Sequence, residues 1–551
     1  MASEAENLFY QQLFDTRTNS IKKIWSNLNS ICSFKKNKAK TVVNKILTND
    51  NEITEPLEIC NEFNKYFCTV GEKLVNKLPR ASDNQSDFID YCGSPQQHSM
   101  VCESVDKEEL LKIISNLLNS KSPGPDNIGP KIIKEVADLI VDPLLHVFNL
   151  SFAYGVVPDK LKLAKVVPIY KKGEAYLTNN YRPISLLSIF SKLLEKLMHR
   201  RLYSFLQKYN ILYQYQFGFR KNHSTSLALI EVIDSIIKYL DNNEITIGIY
   251  LDLQKAFDTV NHEILLRKMY HYGVRGPVHS WFISYLHSRR QYTTIGDIDS
   301  DIMQITCGVP QGSVLGPLLF LIYVNDISNA APSAKIKLFA DDTNIFVHGK
   351  DSACVTSEAN TYLSQLNDWF VINKLSLSLD KTCYTVFSKK PVACLDIVVN
   401  GIKIQRVNSC KYLGVIIDSE LKWKDHIEYV YKKLIKYTSI FYKLRTKLSI
   451  PCLRSIYYAF IYPHLLYGIE IYANTYQSYL HQLNVLNNKI LRILQNKPLK
   501  TSLQQLYWEF QTLPISLLHR QQILILVHCF FHHNCEMPEV YHDYFTVNST
   551  V

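Results

Sequence analysis

The stretch IKLFADDTNIFVHG (336–349) constrains the fold of this chain more than any other. Two apolar, β-prone runs flank a pair of adjacent carboxylates, Asp341 and Asp342. Neighbouring acids repel each other, and beside buried strands that repulsion is costly unless a positive group or a cation sits against them. The two runs read as short strands with the acids at their turn. Any fold for this chain must therefore bring compensating charge to the tip of that hairpin.

A third acid stands in a similar position. ITIGIYLDLQKAF (245–257) has the near-continuous apolar character of a strand buried on both faces. Asp252 falls at its C-terminal end, where an uncompensated carboxylate is expensive. The chain between Asp252 and Asp341 includes a helix, HEILLRKMYHYG (262–273), and a Gly/Pro turn feeding an apolar helix, GVPQGSVLGPLLFLIYVNDI (308–327). That is enough to lay the two strands side by side. Carboxylate oxygens suit Mg²⁺, whereas a softer metal would call for Cys or His. Joining a nucleotide to a 3′-hydroxyl is a chemistry that needs such a site, with two Mg²⁺ ions about 3.5–4 Å apart. One ion lowers the pKa of the hydroxyl and the other steadies the leaving pyrophosphate. On this reading Asp252 and Asp341 bridge the ions, Asp342 is the outer ligand, and the carbonyl of Leu253 adds an oxygen.

Charge and composition agree with a folded, polyanion-binding protein. Of 551 residues, 47% are hydrophobic and 12% aromatic, which supports several packed domains. The net charge is +11, and it is unevenly placed: Tyr431 to Lys500 holds eleven Lys or Arg against the single acid Glu470. In a segment rich in apolar and aromatic residues, that excess reads as a surface for a nucleic-acid backbone. The thirteen Cys are scattered with no CxxC, so reduced thiols in the nucleus or cytoplasm are expected. MASEAENLFYQQLF lacks the pattern of a secretory signal, and VLGPLLFLIYV and ILILV are too short to span a bilayer, so no membrane partner is expected. HCFFHHNC (His528, Cys529, His532, His533, Cys535) matches no standard zinc spacing and reads as structural.

Along the chain, 57–75 and 107–120 read as helices, SFKKNKAK (33–40) as a basic run, and 81–99 as a linker. LAKVVPIYKKG (163–173) reads as a strand. NYRPISLLSIFSKLLEKLMHRRLYSFLQ (180–207) reads as a loop running into a long helix. A helix is expected from Glu358 to Asn373, strands at 383–388 and 411–418, and helices from Leu421 to the end.

The segments SPGPDNI (122–128), VVPIYKKG (166–173), NYRPISLLSIFSKLLEK (180–196), QFGFRKNHST (216–225), LDLQKAFDTVNHEILL (251–266), GVPQGSVLGPLLFLIYVNDI (308–327), FADD (339–342), WFVINKLSLSLDKT (369–382) and KYLGVIID (411–418) resemble, in order, the reverse transcriptases of non-LTR retrotransposons of the jockey-like or LINE-like group. The resemblance implies an α+β right-hand polymerase with fingers, a palm built on a small antiparallel sheet, and a helical thumb. It implies a connector at 1–100, fingers and the start of the palm at 101–250, palm at 251–420, a basic helical thumb at 421–500 and a helical tail at 501–551.

The implied reaction is addition of deoxynucleotides to a DNA primer on an RNA template, with DNA templates also admitted. Mg²⁺ is the implied cofactor, with Mn²⁺ able to replace it. Asp252, Asp341 and Asp342 are the implied catalytic acids, and Lys381 the proton donor to pyrophosphate. Phe257 is the ring that excludes a 2′-hydroxyl. Lys171 (or Lys172) and Arg182 grip the triphosphate. Gly308, Gln311, Gly312 and Ser313 form the turn under the incoming base pair. Phe217, Gly218, Phe219 and Arg220 are implied to touch template or primer, Gly414 to face the primer end, and the basic 431–500 segment to clasp the RNA–DNA duplex. Ser378 stands where many relatives carry Asn. The endonuclease that precedes the polymerase in intact elements is not recognised here, so self-sufficient target nicking is not expected. Three alternatives are weighed. An RNA-dependent RNA polymerase commonly has Gly where this chain has Ala340. A group II intron maturase fits 180–196 and 411–418 less well. A catalytically impaired or co-opted nucleic-acid-binding remnant is disfavoured by the presence of all three acids.

Overall fold

The computed structural model describes residues 2–14, 18–19, 23–24, 26–27, 43–48, 51–79, 87–393, 395–533, 536–542 and 544. The basic run 33–40 and Cys535 lie outside the described residues, as does the first part of the 81–99 stretch.

The hairpin of the acids forms as its sequence demands. Strands Lys335–Phe339 and Asp342–Gly349 pair antiparallel across the two-residue turn Ala340–Asp341. Strand Ile245–Leu251 lies on the other side of Asp342–Gly349, with Leu251 opposite Thr343. Cys383–Phe387 pairs antiparallel with Ile245–Leu251, and Gln405–Arg406 closes the five-stranded sheet in parallel. The two-residue period of a strand sorts its side chains. Ile247, Ile249, Ile345 and Val347 join the core of helix Ser352–Ile372, while Tyr250 and Phe346 join that of helix Thr225–Asp241. Both faces are covered, which accounts for the unbroken apolar run around Ile249.

A second sheet takes the order Tyr181–Leu187, Leu163–Tyr170, Arg290–Ile295, Ile298–Asp299, with Met303–Gln304 also on Arg290–Ile295. Here the structure corrects the reading of 180–188 as a loop. YRPISLL is a strand whose residues alternate between buried and more exposed, and its Pro183 sits opposite Pro168, so neither position requires a ladder donor from the other. Helix Ile189–Lys208 follows at once, capped by Ser188. Helix Pro56–Val75 packs on this sheet. Gly71 lets the same helix close on the 256–258 turn, because a Cβ there would lie 2.3 Å from the Asp258 carbonyl oxygen.

Other boundaries shift for identifiable reasons. The helix expected over 107–120 is Lys107–Ser115, ended by an Asn116 cap. The helix expected from Glu358 starts at Ser352 because Asp351 caps it. KYLGVIID is a hairpin, not one strand: Ser409–Tyr412 turns back through Leu413 and Gly414 into Val415–Asp418.

From Lys424 the chain is helical: Lys424–Leu434, Lys436–Leu444, Ile450–Phe460 and Gln477–Leu494 build one apolar core, joined by Leu503–Phe510 and Ile515–His532. Phe14 of the first helix, Ala2–Phe14, is buried in this same core, and Cys452 Sγ lies 3.4 Å from its carbonyl oxygen. The described parts of residues 1–100 therefore serve three cores: Phe14 and Ile24 this one, Ile59 and Phe63 that against the second sheet, and Phe88 and Met100 that of the five-stranded sheet. Among the described residues, no single helix is long and apolar enough to cross a membrane.

Candidate active site

Strand pairing decides the site. Because Leu251 faces Thr343, the next residues along each strand, Asp252 and Asp342, leave the sheet at the same end. Asp341 stands in the adjoining turn. Burial raises the Asp341 carboxyl above the usual carboxylate range, and the nearby Asp252 adds to it. Asp342 keeps solvent on one side, yet the protein crowded around it and the charges of Asp341 and Asp252 push it up to about 6. These are acids held together against their repulsion.

Cations answer them from the second sheet and from the loop after Phe370. Lys381 Nζ is 2.8 Å from Asp252 Oδ2. Lys171 is lowered by burial and then by the charges of Arg182 and Lys381, with Asp252 opposing. Lys172 lines the same cleft. Lys255 joins them: its ammonium donates to the carbonyls of Asn179 and Tyr181 at 3.1 and 3.2 Å, and burial and neighbouring cations lower it. Acids and cations line one cleft of about 870 Å³, with Leu253, Phe257 and Gln311 also in its wall. Cations that depress one another are poised for a polyanion, which relieves their repulsion on binding.

The cleft wall is stiff. Phe257 stacks on Phe320 with centroids 4.7 Å apart and meets Phe219 edge-on at 6.2 Å. Its ring has little room to retreat. Gln311 Nε2 donates to Asp258 Oδ1 at 2.8 Å, and burial raises the Asp258 carboxyl to about 6. The turn carrying Gln311 is pinned by backbone bonds from Gly308 to Val260, from Val309 to Phe257, and from Ser185 to Gln311.

Some expected contacts fall elsewhere. Gly308 and Gly312 are not in the cleft wall: an added Cβ would meet the Asp258 carbonyl oxygen at 2.9 Å and that of Ser185 at 2.5 Å, so these glycines let the turn pack on its own protein. Ser313 caps Gly316 N from within the fold. Phe217 is buried, Gly218 is pressed against the Ala340 backbone, and Arg220 donates to the carbonyl of Tyr213, leaving Phe219, 54% exposed, as the open residue of that set. Gly414 forms the 409–418 hairpin turn under the ring of Tyr467. Ser378 holds Asp252 by its backbone, donating N–H to the Asp252 carbonyl at 2.7 Å. Among the described residues, no three His, Cys, Asp or Glu side chains are already close enough to enclose a metal ion, His528, His532 and His533 included. Asp252 is turned toward Lys381 instead. The donor set nonetheless fits a hard divalent cation: three carboxylates lie near one another, Asp341 raised by burial and by Asp252, and Asp342 by burial, by Asp341 and by Asp252.

A family model described as "Reverse transcriptase (RNA-dependent DNA polymerase)" matches residues 169–417, which hold the whole five-stranded sheet and most of the cleft wall. Over those residues the chain carries a reverse transcriptase domain. It is similar to the RNA-directed DNA polymerase from mobile element jockey of Drosophila melanogaster, at 30% identity over 74% of this chain and 46% of that protein. The corresponding Drosophila funebris protein is 29% identical over 79% of this chain and 49% of its own length. The probable RNA-directed DNA polymerase from transposon BS of Drosophila melanogaster is 29% identical over 76% and 47%. The chain thus spans about half the length of these curated relatives.

Sequence reasoning missed parts of this reverse transcriptase cleft. Lys255 was available within LDLQKAF, between Asp252 and Phe257. Tyr66 and Lys73 of helix Pro56–Val75, and Lys77 just past its end, also line the cleft. Nothing local marks them, because only the docking at Gly71 brings that helix to the site.

Proposed function

We propose that this chain adds deoxynucleotides to a primer 3′ end on an RNA template, with DNA also admitted as template. The observation that carries the reading is the meeting of Asp252 and Asp341 with Lys171, Arg182, Lys255 and Lys381 around one cleft walled by Phe257, with Asp342 next to Asp341 at the same end of the sheet. Residues 101–250 supply the fingers and the start of the palm, 251–420 the palm with its fingers–palm helices, and the basic helices of 421–500 the thumb. Residues 1–100 act as the connector and 501–551 as the tail.

In this reading Asp252 and Asp341 would hold two Mg²⁺ between them, with Asp342 and the Leu253 carbonyl at the edge; Mn²⁺ has the same ligand preference. When bound, the ions supply positive charge that acidifies the 3′-hydroxyl and offsets charge on the pyrophosphate. Lys171, Arg182 and Lys255 bind and orient the triphosphate, the guanidinium by paired N–H donors. The Lys381 ammonium, held 2.8 Å from Asp252 Oδ2, would give its Nζ proton to the leaving pyrophosphate. Phe257, backed by Phe320, fills the space a 2′-hydroxyl needs. The basic surface between Tyr431 and Lys500 clasps the duplex backbone, so that binding weakens steeply with salt.

Primer extension on RNA and DNA templates, with dNTP and rNTP supplied separately, tests this. Extension with dNTP on RNA is expected. No extension on either template, or preference for rNTP, overturns it.

A further inference from the structure

Gln216 is buried, 2% exposed, in the segment that leads to Phe219. A buried primary amide is costly unless its donors and acceptor are used. Here they converge on one residue of the catalytic hairpin. Gln216 Oε1 accepts from the N–H of Ala340 at 2.9 Å and from that of Gly218 at 2.8 Å. Its Nε2 donates to the Ala340 carbonyl at 3.4 Å. One side chain therefore grips both polar backbone groups of the residue just before Asp341.

That residue needs a grip. Ala340 has φ +57, a left-handed conformation that a side chain disfavours, and the next two residues are mutually repelling acids. Left to itself such a turn relaxes toward another backbone shape and spreads its carboxylates. The rest of the segment braces it. Phe217 N donates to the Leu338 carbonyl at 2.9 Å, and Leu338 N donates to that of Tyr215 at 3.0 Å, fastening Gln216 to the first strand of the hairpin. Gly218 closes the other side, where a Cβ would lie 2.3 Å from Ala340 N. Phe219 then reaches the Phe257 ring.

We propose that Gln216 is a positioning residue of the polymerase site, which sets the direction in which Asp341 and Asp342 leave their turn. The inference rests on the polymerase reading above. Gln216 touches neither nucleotide nor primer; it acts through the backbone of Ala340.

Gln216→Met fills much the same volume without an acceptor and is the main test. Amide hydrogen exchange reads the grip without catalysis: exchange at Ala340 and Gly218 is expected to quicken by about tenfold or more. In extension assays kcat is expected to fall about a hundredfold, as for any small misplacement of reacting groups, with the dNTP KM and duplex affinity nearly unchanged. Gln216→Glu keeps both acceptor bonds and is expected to keep the slow exchange; it serves as the folded comparison if Gln216→Met does not fold. Gly218→Ala, which presses on Ala340 with Gln216 intact, should lower kcat in the same selective way. Unchanged exchange in Gln216→Met, or rapid exchange in Gln216→Glu, overturns the grip. Faster exchange with wild-type kcat overturns its positioning role. A wild-type chain that extends no primer overturns the polymerase reading instead, and exchange still decides whether the grip exists.

Discussion

Two hairpin turns of the same length behave in opposite ways. Leu413 and Gly414, between Ser409–Tyr412 and Val415–Asp418, both have positive φ, +44 and +86. That is the pattern of the turn best matched to strand twist, and glycine fills its second place. Tyr467 adds one bond from its hydroxyl to the Leu413 carbonyl, at 2.6 Å. Ala340 and Asp341 make the other turn. There positive φ falls on Ala340, where glycine is the usual residue, and acids follow. Local chemistry suits the first turn at Gly414, though Leu413 shares the left-handed cost of Ala340, and it opposes the second at both residues. The second is held from outside, by Gln216 and the close approach of Gly218. A turn built against its own preferences and braced by distant chain is what a working site demands, while a structural turn needs no such help.

Removing the charge that the second turn exists to hold has the largest expected effect. Asp341→Asn is expected to lower primer extension on the order of 10³-fold or to background, the loss of several kcal/mol of charge stabilisation. Duplex affinity should stay close to wild type, read by fluorescence anisotropy. Extension at the wild-type rate would remove Asp341 from the chemistry.

Acid should drive the two turns in opposite directions. His426 lies under the first turn, where Ile416 N donates to its Nδ1 at 3.3 Å, and burial lowers its pKa to about 4. Below the unfolded value of about 6.5 the unfolded chain binds the proton more readily. Stability of this region then falls as pH drops from about 6.5 to about 4, by on the order of 3 kcal/mol. Asp342 has the reverse sign. Its raised pKa, about 6, is a cost to the metal-free fold that is fully present above pH 6 and vanishes once both states are protonated, below about pH 4. Hydrogen exchange followed against pH should show the 409–430 segment loosening on acidification, and His426→Asn should flatten that loss. Asp342→Asn should raise the melting temperature of the metal-free protein at about pH 8 and leave it unchanged near pH 4. Melting that is indifferent to both changes would contradict the assigned burial.

How much of this was legible follows the same division. Asp252, Asp341 and Asp342 announce themselves, because carboxylates next to β-prone apolar runs have few other uses. The register that unites them does not, yet strand periodicity around Ile249 already required cover on both faces. YRPISLL was hidden by its proline, which reads as a loop signal until Pro168 is seen opposite Pro183. KYLGVIID was hidden by its length, since four residues on each side of a turn look like one strand. Gln216, Lys73 and Lys77 were beyond reach for a different reason. Each acts through a long-range approach, at Gly218 or Gly71, and a glycine in sequence does not say whose backbone it admits.

Phe257 sharpens the comparison from the substrate side, since Phe219 carries the bracing segment to the ring. Phe257→Val opens the space against which a 2′-hydroxyl clashes. Discrimination against rNTP, measured as the ratio of kcat/KM values, is expected to fall about tenfold, with dNTP use less affected. A ratio equal to wild type would dismiss the ring as a gate.

The smallest effect belongs to the turn that is locally content. Gly414→Ala places a methyl at φ +86 and 3.1 Å from the Tyr467 ring. The backbone penalty is about 1–2 kcal/mol, visible as a lower midpoint in denaturant unfolding. Extension per folded molecule should not change, because this turn positions no acid and its support, Tyr467, moves with it. Loss of extension in Gly414→Ala at wild-type stability would mean that the hairpin touches the primer directly, and the contrast between a structural and a working turn would then fail at this point.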